Sequence, residues 1–337
     1  MPDLTNRRWC VAGLPDERLG VSHFSLRTVA RPTPADGQVL CRVLWISIDA
    51  AGRAWLQADT YRRALQVGDT MPGFGIGQVV ESDSEELAVG DIVTGDLGWQ
   101  EYAAIAPAEL ERIEQVRPLS NYLSVLGITG LTAYFGLREV GEARSGETVV
   151  VSAAAGATGT VVGQIARREG CRVVGICGSA EKGSWLTGEM GFDAAVSHRD
   201  PDFRKALRAA CPDGVHVYFD NVAGPTLETM LGAMAPGGRI VCCGVVSQYD
   251  TANPGPGPRG VPGMLIIKSL TMRGFLLPTF SDRYAEGLDA LAGWLDDGSI
   301  KPVEDIFEGL ERAPEGLVGL LNGSNLGKRM VHVDDPV

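Results

Sequence analysis

Metal ligands are scarce in this sequence. It holds four histidines (His23, His198, His216 and His332) and no C-x2-C pair. A catalytic zinc site needs three soft or imidazole ligands at set spacings, and a structural site needs four. The adjacent Cys242 and Cys243 would point to opposite faces of a strand. No metal is expected. Long apolar runs are also missing. Val149–Ala155 and Arg239–Val246 are the longest, far below the roughly 20 residues that span a bilayer. Met1–Arg8 is polar and no apolar segment follows it, so neither a secretory leader nor a membrane anchor is expected. Basic clusters are absent too. With 30 Lys and Arg against 42 Asp and Glu the net charge is −12, which argues against a nucleic-acid partner. The seven cysteines lack the short paired spacings of a disulfide framework, and several sit in strand-like apolar runs, which fits a reducing cytoplasm.

What remains is abundant glycine and a long chain. The 337 residues exceed the roughly 250–300 at which a single core stops growing, so two domains are expected. The 44 glycines, spread among apolar runs, suggest tight turns and backbone-lined sites. The first 120 residues read as strands and turns, with Val39–Ile48, Gly73–Val80 and two short strands within Val89–Ile105. From about Ser120 the texture changes. A helical run at Leu126–Leu137 is followed by strands alternating with amphipathic segments: Val149–Ser152 then Gly159–Arg168, Arg172–Cys177 then Glu181–Met190, Val215–Phe219 then Pro225–Met234, and Arg239–Val246. Alternation of this kind predicts βαβ units and a doubly wound parallel sheet of Rossmann type. After a Pro/Gly-rich loop at Pro254–Pro262, Ser269–Phe275 reads as a strand, Tyr284–Asp297 as a helix, and the last 35 or so residues as strands returning to the first domain. The expected division is 1–120 with 306–337, and 121–305.

Val149–Ser152 runs into Ala153-Ala154-Ala155-Gly156-Ala157-Thr158-Gly159, and a helix follows. A strand, a tight turn of small residues and a helix N-terminus together aim backbone N–H groups and the helix dipole at a pyrophosphate. Gly163 would let that helix pack closely on the sheet. The second strand ends at Cys177-Gly178-Ser179, with no Asp or Glu to hold a ribose 2′-hydroxyl, and Lys182 follows. Removing a carboxylate and adding an ammonium favours a 2′-phosphate, hence NADPH over NADH. The competing reading of Lys182 is the start of an exposed helix.

The segments LWISIDAAGR, PGFGIGQVVES, VGDIVTGDLGWQEYAAI, LGITGLTAYFGL, VVVSAAAGATGTVVGQIA, YFDNVAGPTLE, GGRIVCCGVVSQYD and NGSNLGK stand in collinear order over nearly the whole chain. Together they resemble the zinc-independent branch of the medium-chain dehydrogenases/reductases, which holds prostaglandin reductases, plant alkenal double-bond reductases and bacterial curcumin reductases. The resemblance implies a GroES-like β-barrel domain beside the Rossmann domain, a homodimer, bound NADPH, and reduction of the C=C bond of α,β-unsaturated ketones or aldehydes. By the same resemblance, Ala154, Gly156, Thr158 and Gly159 carry the dinucleotide turn. Ser179 and Lys182 meet the 2′-phosphate, Asn221 and Asn325 lie beside the cofactor, and Tyr249 is the active-site tyrosine.

Two positions depart from the pattern. Ala51, in Asp49-Ala50-Ala51-Gly52-Arg53, replaces a pocket aromatic, which implies a wider substrate pocket around Asp49 and Ala51. His198 replaces a phosphate-binding tyrosine, with Arg199 next to it. Asp49 also stands where zinc-dependent relatives place a cysteine ligand. Trp45, Trp99, Tyr102 and Tyr134 are candidates for the pocket wall or for the core. Tyr249 would donate a hydrogen bond to the substrate carbonyl as charge develops there, its alternative being an ordinary surface-loop tyrosine. A quinone reductase and a catalytically silent NADPH-binding protein are the rival functions.

Overall fold

The computed structural model describes residues 4–253 and 255–337. Residues 1–3, and Pro254 at the head of the expected loop, lie outside the described residues. The chain opens with the antiparallel pair β1 (Thr5–Val11) and β2 (Phe24–Ala30). Next come β3 (Val39–Ser47), the short helix α1 (Ala51–Trp55), β4 (Phe74–Ser82), β5 (Ile92–Asp96), β6 (Tyr102–Ile105) and β7 (Glu111–Arg112). Helix α2 (Ile128–Phe135) leads into the alternating region: β8 (Thr148–Ser152), α3 (Ala157–Arg168), β9 (Arg172–Cys177), α4 (Ala180–Gly188), β10 (Ala194–Ser197), α5 (Phe203–Ala210), β11 (Val215–Asp220), α6 (Gly224–Ala233), β12 (Met234–Cys242), α7 (Val261–Lys268), β13 (Thr271–Gly274) and α8 (Tyr284–Asp296). The chain ends with β14 (Glu304–Glu308), α9 (Ala313–Leu321) and β15 (Lys328–His332).

Two large sheets result. A six-stranded parallel sheet has the order β10-β9-β8-β11-β12-β13, so the chain winds outward from β8 on one side and then from β11 on the other. That is a doubly wound sheet with its switch point between β8 and β11. Its strands are apolar on both faces because helices cover both faces. Val149, Val151 and Val173 enter one buried cluster, while Val150, Val174 and Ile176 enter the opposite one. A seven-stranded sheet, mostly antiparallel, has the order β14-β15-β3-β4-β5-β7, with β6 also paired to β3. Its core gathers Val39, Val43, Ile46, Met71, Trp99, Leu317 and Val331. The C-terminal strands therefore complete a sheet begun 290 residues earlier, with Met330 opposite Ser47.

The last 35 or so residues differ from the expected strand texture, because they contain α9. Its Pro314 suits a first helical turn, and Ala313, Gly316 and Leu317, three to four residues apart, form the buried face. Two glycines in nine residues mask that period in the sequence. Helices α5 and α7 are likewise additions to the expected alternation. Helix α7 occupies the end of the segment read as loop, again with a proline in its first turn.

Candidate active site

The C-terminal ends of β8, β9, β11 and β12 meet on one edge of the parallel sheet, the place where this topology leaves a crevice. Ser152 ends β8 and is fully buried. Its hydroxyl accepts from the Asn221 backbone N–H at 2.9 Å, and its carbonyl accepts from Asn221 Nδ2 at 2.8 Å. Asp220 is buried, and its Oδ1 accepts from the Tyr218 hydroxyl and from the N–H groups of Val222 and Ala223. Thus a buried carboxylate shapes the turn after β11, and Asn221 ties that turn to β8.

The glycine turn lies between β8 and α3. Ala153 takes φ +49°, which turns the chain sharply off the strand. Ala154 is fully buried, and Gly156 is the N-cap of α3 with no side chain over the exposed N–H groups. Thr158 and Gly159 fall in the first helical turn. A Cβ at Gly159 would collide with the Ala153 carbonyl, and one at Gly163 would enter the Phe192 ring. The backbone is therefore bare and positively polarised where a pyrophosphate would sit. Gly156 also pairs with Gly327, and the Gly327 N–H donates to the Ala155 carbonyl at 2.8 Å, which brings the C-terminal loop to the turn.

At the end of β9, the Ser179 hydroxyl caps α4 by accepting the Lys182 backbone N–H at 3.3 Å. The Lys182 ammonium donates to the carbonyls of Gly323 at 2.8 Å and Asn325 at 2.5 Å. Burial pulls its pKa below the usual lysine value, with Arg329 and Arg199 acting in the same direction. His198 and Arg199 lie over Gly178. Burial also lowers the His198 pKa, favouring the neutral ring. Lys182, His198, Arg199 and Arg329 thus form a basic corner at the strand end, without a carboxylate on β9. Arg329 is bound to Asp305 at 2.6 Å, whereas Arg199 makes no ion pair among the described residues. Asn325 is buried, and its Nδ2 donates to the Gly327 carbonyl at 2.9 Å. Of the cofactor candidates, every residue is at this edge or on the loop that closes over it.

Beyond β12 the chain passes Cys243 and Gly244 into a short 3-10 turn, Val246–Gln248, and reaches Tyr249. Burial pushes the Cys243 thiol up to about 12. Tyr249 is half-buried, and burial raises its pKa above the usual phenol value against a backbone hydrogen bond from Val245. From the other sheet, Asp49 accepts from the buried Lys328 ammonium at 2.5 Å and from the Ser47 hydroxyl. Ala51 begins α1 and packs on the core of that sheet.

The structure brings Asp49, Ala51 and Tyr249 towards one junction but leaves Tyr134 out. Tyr134 is buried in the core of the parallel-sheet half, its ring against Phe135 and Trp294, and its hydroxyl donates to Glu286 and accepts from Arg138, each at 2.9 Å. Helix α2 turns that side chain towards α8, so it is withdrawn from the pocket. Trp99 is core, Trp45 stacks on His332, and Tyr102 lies under Arg31. An aromatic that sequence reasoning missed is Tyr61. It is 70% exposed, stands edge-on to Trp55, and lies near Asp49 and Tyr249. Its polar surroundings, Asp59-Thr60-Tyr61-Arg62-Arg63, carry no signal for such a role.

A doubly wound sheet with a bare glycine turn, coupled to a mainly antiparallel sheet completed by the C-terminus, is the architecture of a medium-chain dehydrogenase/reductase. Comparison with known proteins gives the particular branch. Residues 7–113 match the family model for the N-terminal domain of oxidoreductase, and residues 157–293 match the one for zinc-binding dehydrogenase. The NADPH-dependent curcumin reductase of Escherichia coli (strain K12) is 36% identical over 97% of both chains. The NADP(+)-dependent 2-alkenal reductase of Nicotiana tabacum is 39% identical over 96% of this chain and 95% of its own. The crystal structure of CurA in complex with NADPH from Vibrio vulnificus superposes with a TM-score of 0.93 at 35% identity, covering 98% of this chain and 100% of that one. The chain belongs to the medium-chain dehydrogenase/reductase family, in the branch of the curcumin, prostaglandin and 2-alkenal reductases. Despite the name of the second family model, the described residues contain no group of three or more His, Cys, Asp or Glu able to hold a metal ion.

Proposed function

We propose that this protein uses NADPH to reduce the C=C bond of α,β-unsaturated ketones and aldehydes. The observation that carries the reading is Tyr249, a half-buried phenol on the loop after β12, at the edge of the parallel sheet that fits a dinucleotide. The likeness to curcumin and 2-alkenal reductases over almost the full chain supports the same chemistry.

The residues present fit the cofactor. Thr158 and Gly159, in the uncapped first turn of α3, would offer backbone N–H groups to the pyrophosphate, while Ala154 and Gly156, whose N–H groups donate to the Ile176 and Ala153 carbonyls, would shape the turn. Ser179, Lys182, His198 and Arg199 would meet the 2′-phosphate. Asn221 and Asn325, each fixed by a backbone carbonyl, would lie beside the cofactor. When bound, the nicotinamide supplies the hydride that adds to the β-carbon. Tyr249 donates a hydrogen bond to the carbonyl oxygen, where negative charge then collects, and solvent supplies the proton to the α-carbon. Asp49 and Ala51, with Tyr61 added, would shape the substrate pocket. Tyr61 supplies an aromatic at its mouth where Ala51 supplies none.

Chain 1–120 with 304–337 would form the substrate domain and 121–303 the cofactor domain, since β14 starts at Glu304 in the seven-stranded sheet rather than at the expected 306. The exposed edge strand β13 and its neighbours Ile266 and Ile267, each 78% exposed, and Leu276, 65% exposed, support a homodimer. A second copy pairing there would continue the sheet and cover that apolar surface. No helix among the described residues is long and apolar enough to cross a membrane. All seven cysteines are free, which supports a reducing cytoplasmic setting.

The test is NADPH consumption against 2-alkenals, aryl enones and quinones, with product analysis. Saturated ketones or aldehydes as products support the proposal. Turnover of quinones alone, or tight NADPH binding without turnover of any substrate, would overturn it.

A further inference from the structure

The loop that carries Tyr249 is held from two sides. At its root, the Ser247 hydroxyl donates to the Val222 carbonyl at 2.6 Å and the Val246 N–H donates to the Asn221 carbonyl at 3.3 Å, both within the parallel-sheet half. Just past Tyr249 the partners change. Asp250 Oδ1 accepts from Arg53 Nε at 2.9 Å and from the Leu19 backbone N–H at 2.8 Å, and Gln57 donates to the Thr251 carbonyl at 3.2 Å. Arg53, Leu19 and Gln57 all belong to the N-terminal half. Tyr249 therefore sits between two clamps, one from each half.

Arg53 is fully buried, and Asp250 is mostly so. The guanidinium Nη2 donates to the Glu17 carbonyl at 2.7 Å, but Nη1 is buried without a hydrogen-bond partner among the described residues. Burying a cation with one donor unsatisfied is a poor way to gain stability, since desolvation offsets most of the Coulomb attraction. What such a pair does secure is place, because the guanidinium can be accommodated only where the carboxylate meets it.

We propose that Arg53 and Asp250 are positioning residues for the reaction: the buried pair fixes the Tyr249 hydroxyl at the substrate carbonyl and makes its placement depend on the docking of the two halves. The inference rests on Tyr249 being the hydrogen-bond donor, and a double-substitution cycle separates the two claims.

Tyr249→Phe alone tests the donor, and an unchanged kcat would remove the tyrosine and this proposal with it. Asp250→Asn keeps the shape and an acceptor oxygen but removes the charge. It should lower kcat about tenfold, within the up to about hundredfold that a 1 Å misplacement of a reacting group costs. NADPH affinity, read by fluorescence titration, should not change. In the Tyr249→Phe background Asp250→Asn should cause no further loss, because there is no longer a hydroxyl to place. Arg53→Lys, which keeps the cation, should recover part of the kcat that Arg53→Met loses. Should Asp250→Asn fail to fold, Asp250→Glu carries the same cycle. Equal losses in both backgrounds, or a kcat unaffected by Asp250→Asn in a folded enzyme, would overturn the positioning role.

Discussion

Between Thr148 and Gly163 the pyrophosphate cradle comes from one stretch of chain: a buried strand, a turn of small residues, and a helix whose first N–H groups are uncovered. The loop from Cys243 to Thr251 is built in the opposite way. Its own residues form little more than a 3-10 turn, and its position is set by Val222 on one side and by Leu19, Arg53 and Gln57 on the other. The first region is local and made of backbone, so its geometry is fixed once the strand and helix form. The second is non-local and made of side chains, so it exists only when the two halves are docked. A substitution in the first should abolish cofactor binding, and one in the second should leave binding intact and slow the reaction.

The largest effect on that contrast should come from Gly159→Val. Its added carbons meet the Ala153 carbonyl, which belongs to the backbone and cannot move aside cheaply. Overpacking typically costs about 1–3 kcal/mol and here falls on the cradle itself. NADPH binding by calorimetry should be undetectable, with a lowered melting temperature. Retention of normal NADPH affinity would break the contrast at its firmest point.

Lys182→Ala comes next. A charge-assisted hydrogen bond to the 2′-phosphate contributes about 1.5–3 kcal/mol, so NADPH should weaken by about ten- to hundredfold. Charge reasoning alone expects NADH to be spared. However, the ammonium also binds the Gly323 and Asn325 carbonyls, so losing it loosens the loop bearing Asn325. NADH should therefore weaken too, by a smaller factor. Equal weakening of both cofactors would show that Lys182 acts only through the loop.

A finer contrast lies in Cys243, at the point where β12 gives way to the loop. Burial raises its pKa to about 12, so thiolate is scarce near neutral pH. Alkylation by iodoacetamide, followed by mass spectrometry, should be slow at about pH 8 and should climb without levelling through about pH 10, past the ordinary thiol value of about 8.5. Stability held by this neutral thiol is complete below the ordinary value and is lost as pH rises towards 12. A rate that levels off near pH 9 would mean an exposed, unperturbed thiol.

The smallest expected change is one of preference. Ala51→Tyr should narrow the substrate range towards slim linear enals by adding a ring beside Asp49, and an unchanged profile across enals and cyclic enones would show that position 51 does not shape the pocket.

The same contrast explains what could be read from the sequence. Strand, glycine turn and helix follow one another over some 20 residues, so apolar periodicity and the residues of the turn locate the cradle directly. The absence of Asp or Glu from Cys177 to Ser179 was equally legible, because it concerns one strand end. Arg53 and Asp250 are 197 residues apart, and no spacing rule joins them. Pocket and core stayed open for Tyr134 because a tyrosine on a buried apolar helix looks alike whether it faces a pocket or, as here, bonds Glu286 and Arg138. Helix α9 escaped notice because Gly316 and Gly319 interrupt its apolar period, and only packing against β15 makes it a helix.

The central claim is conjugate reduction, and the most direct test is the fate of the label from NADPH carrying deuterium at C4, prepared in both stereochemical forms and supplied with an aryl enone. Proton and deuterium NMR of the product should show deuterium from one of the two forms at the β-carbon of a saturated ketone, with a solvent-derived proton at the α-carbon. Deuterium at the former carbonyl carbon of an allylic alcohol would contradict the account.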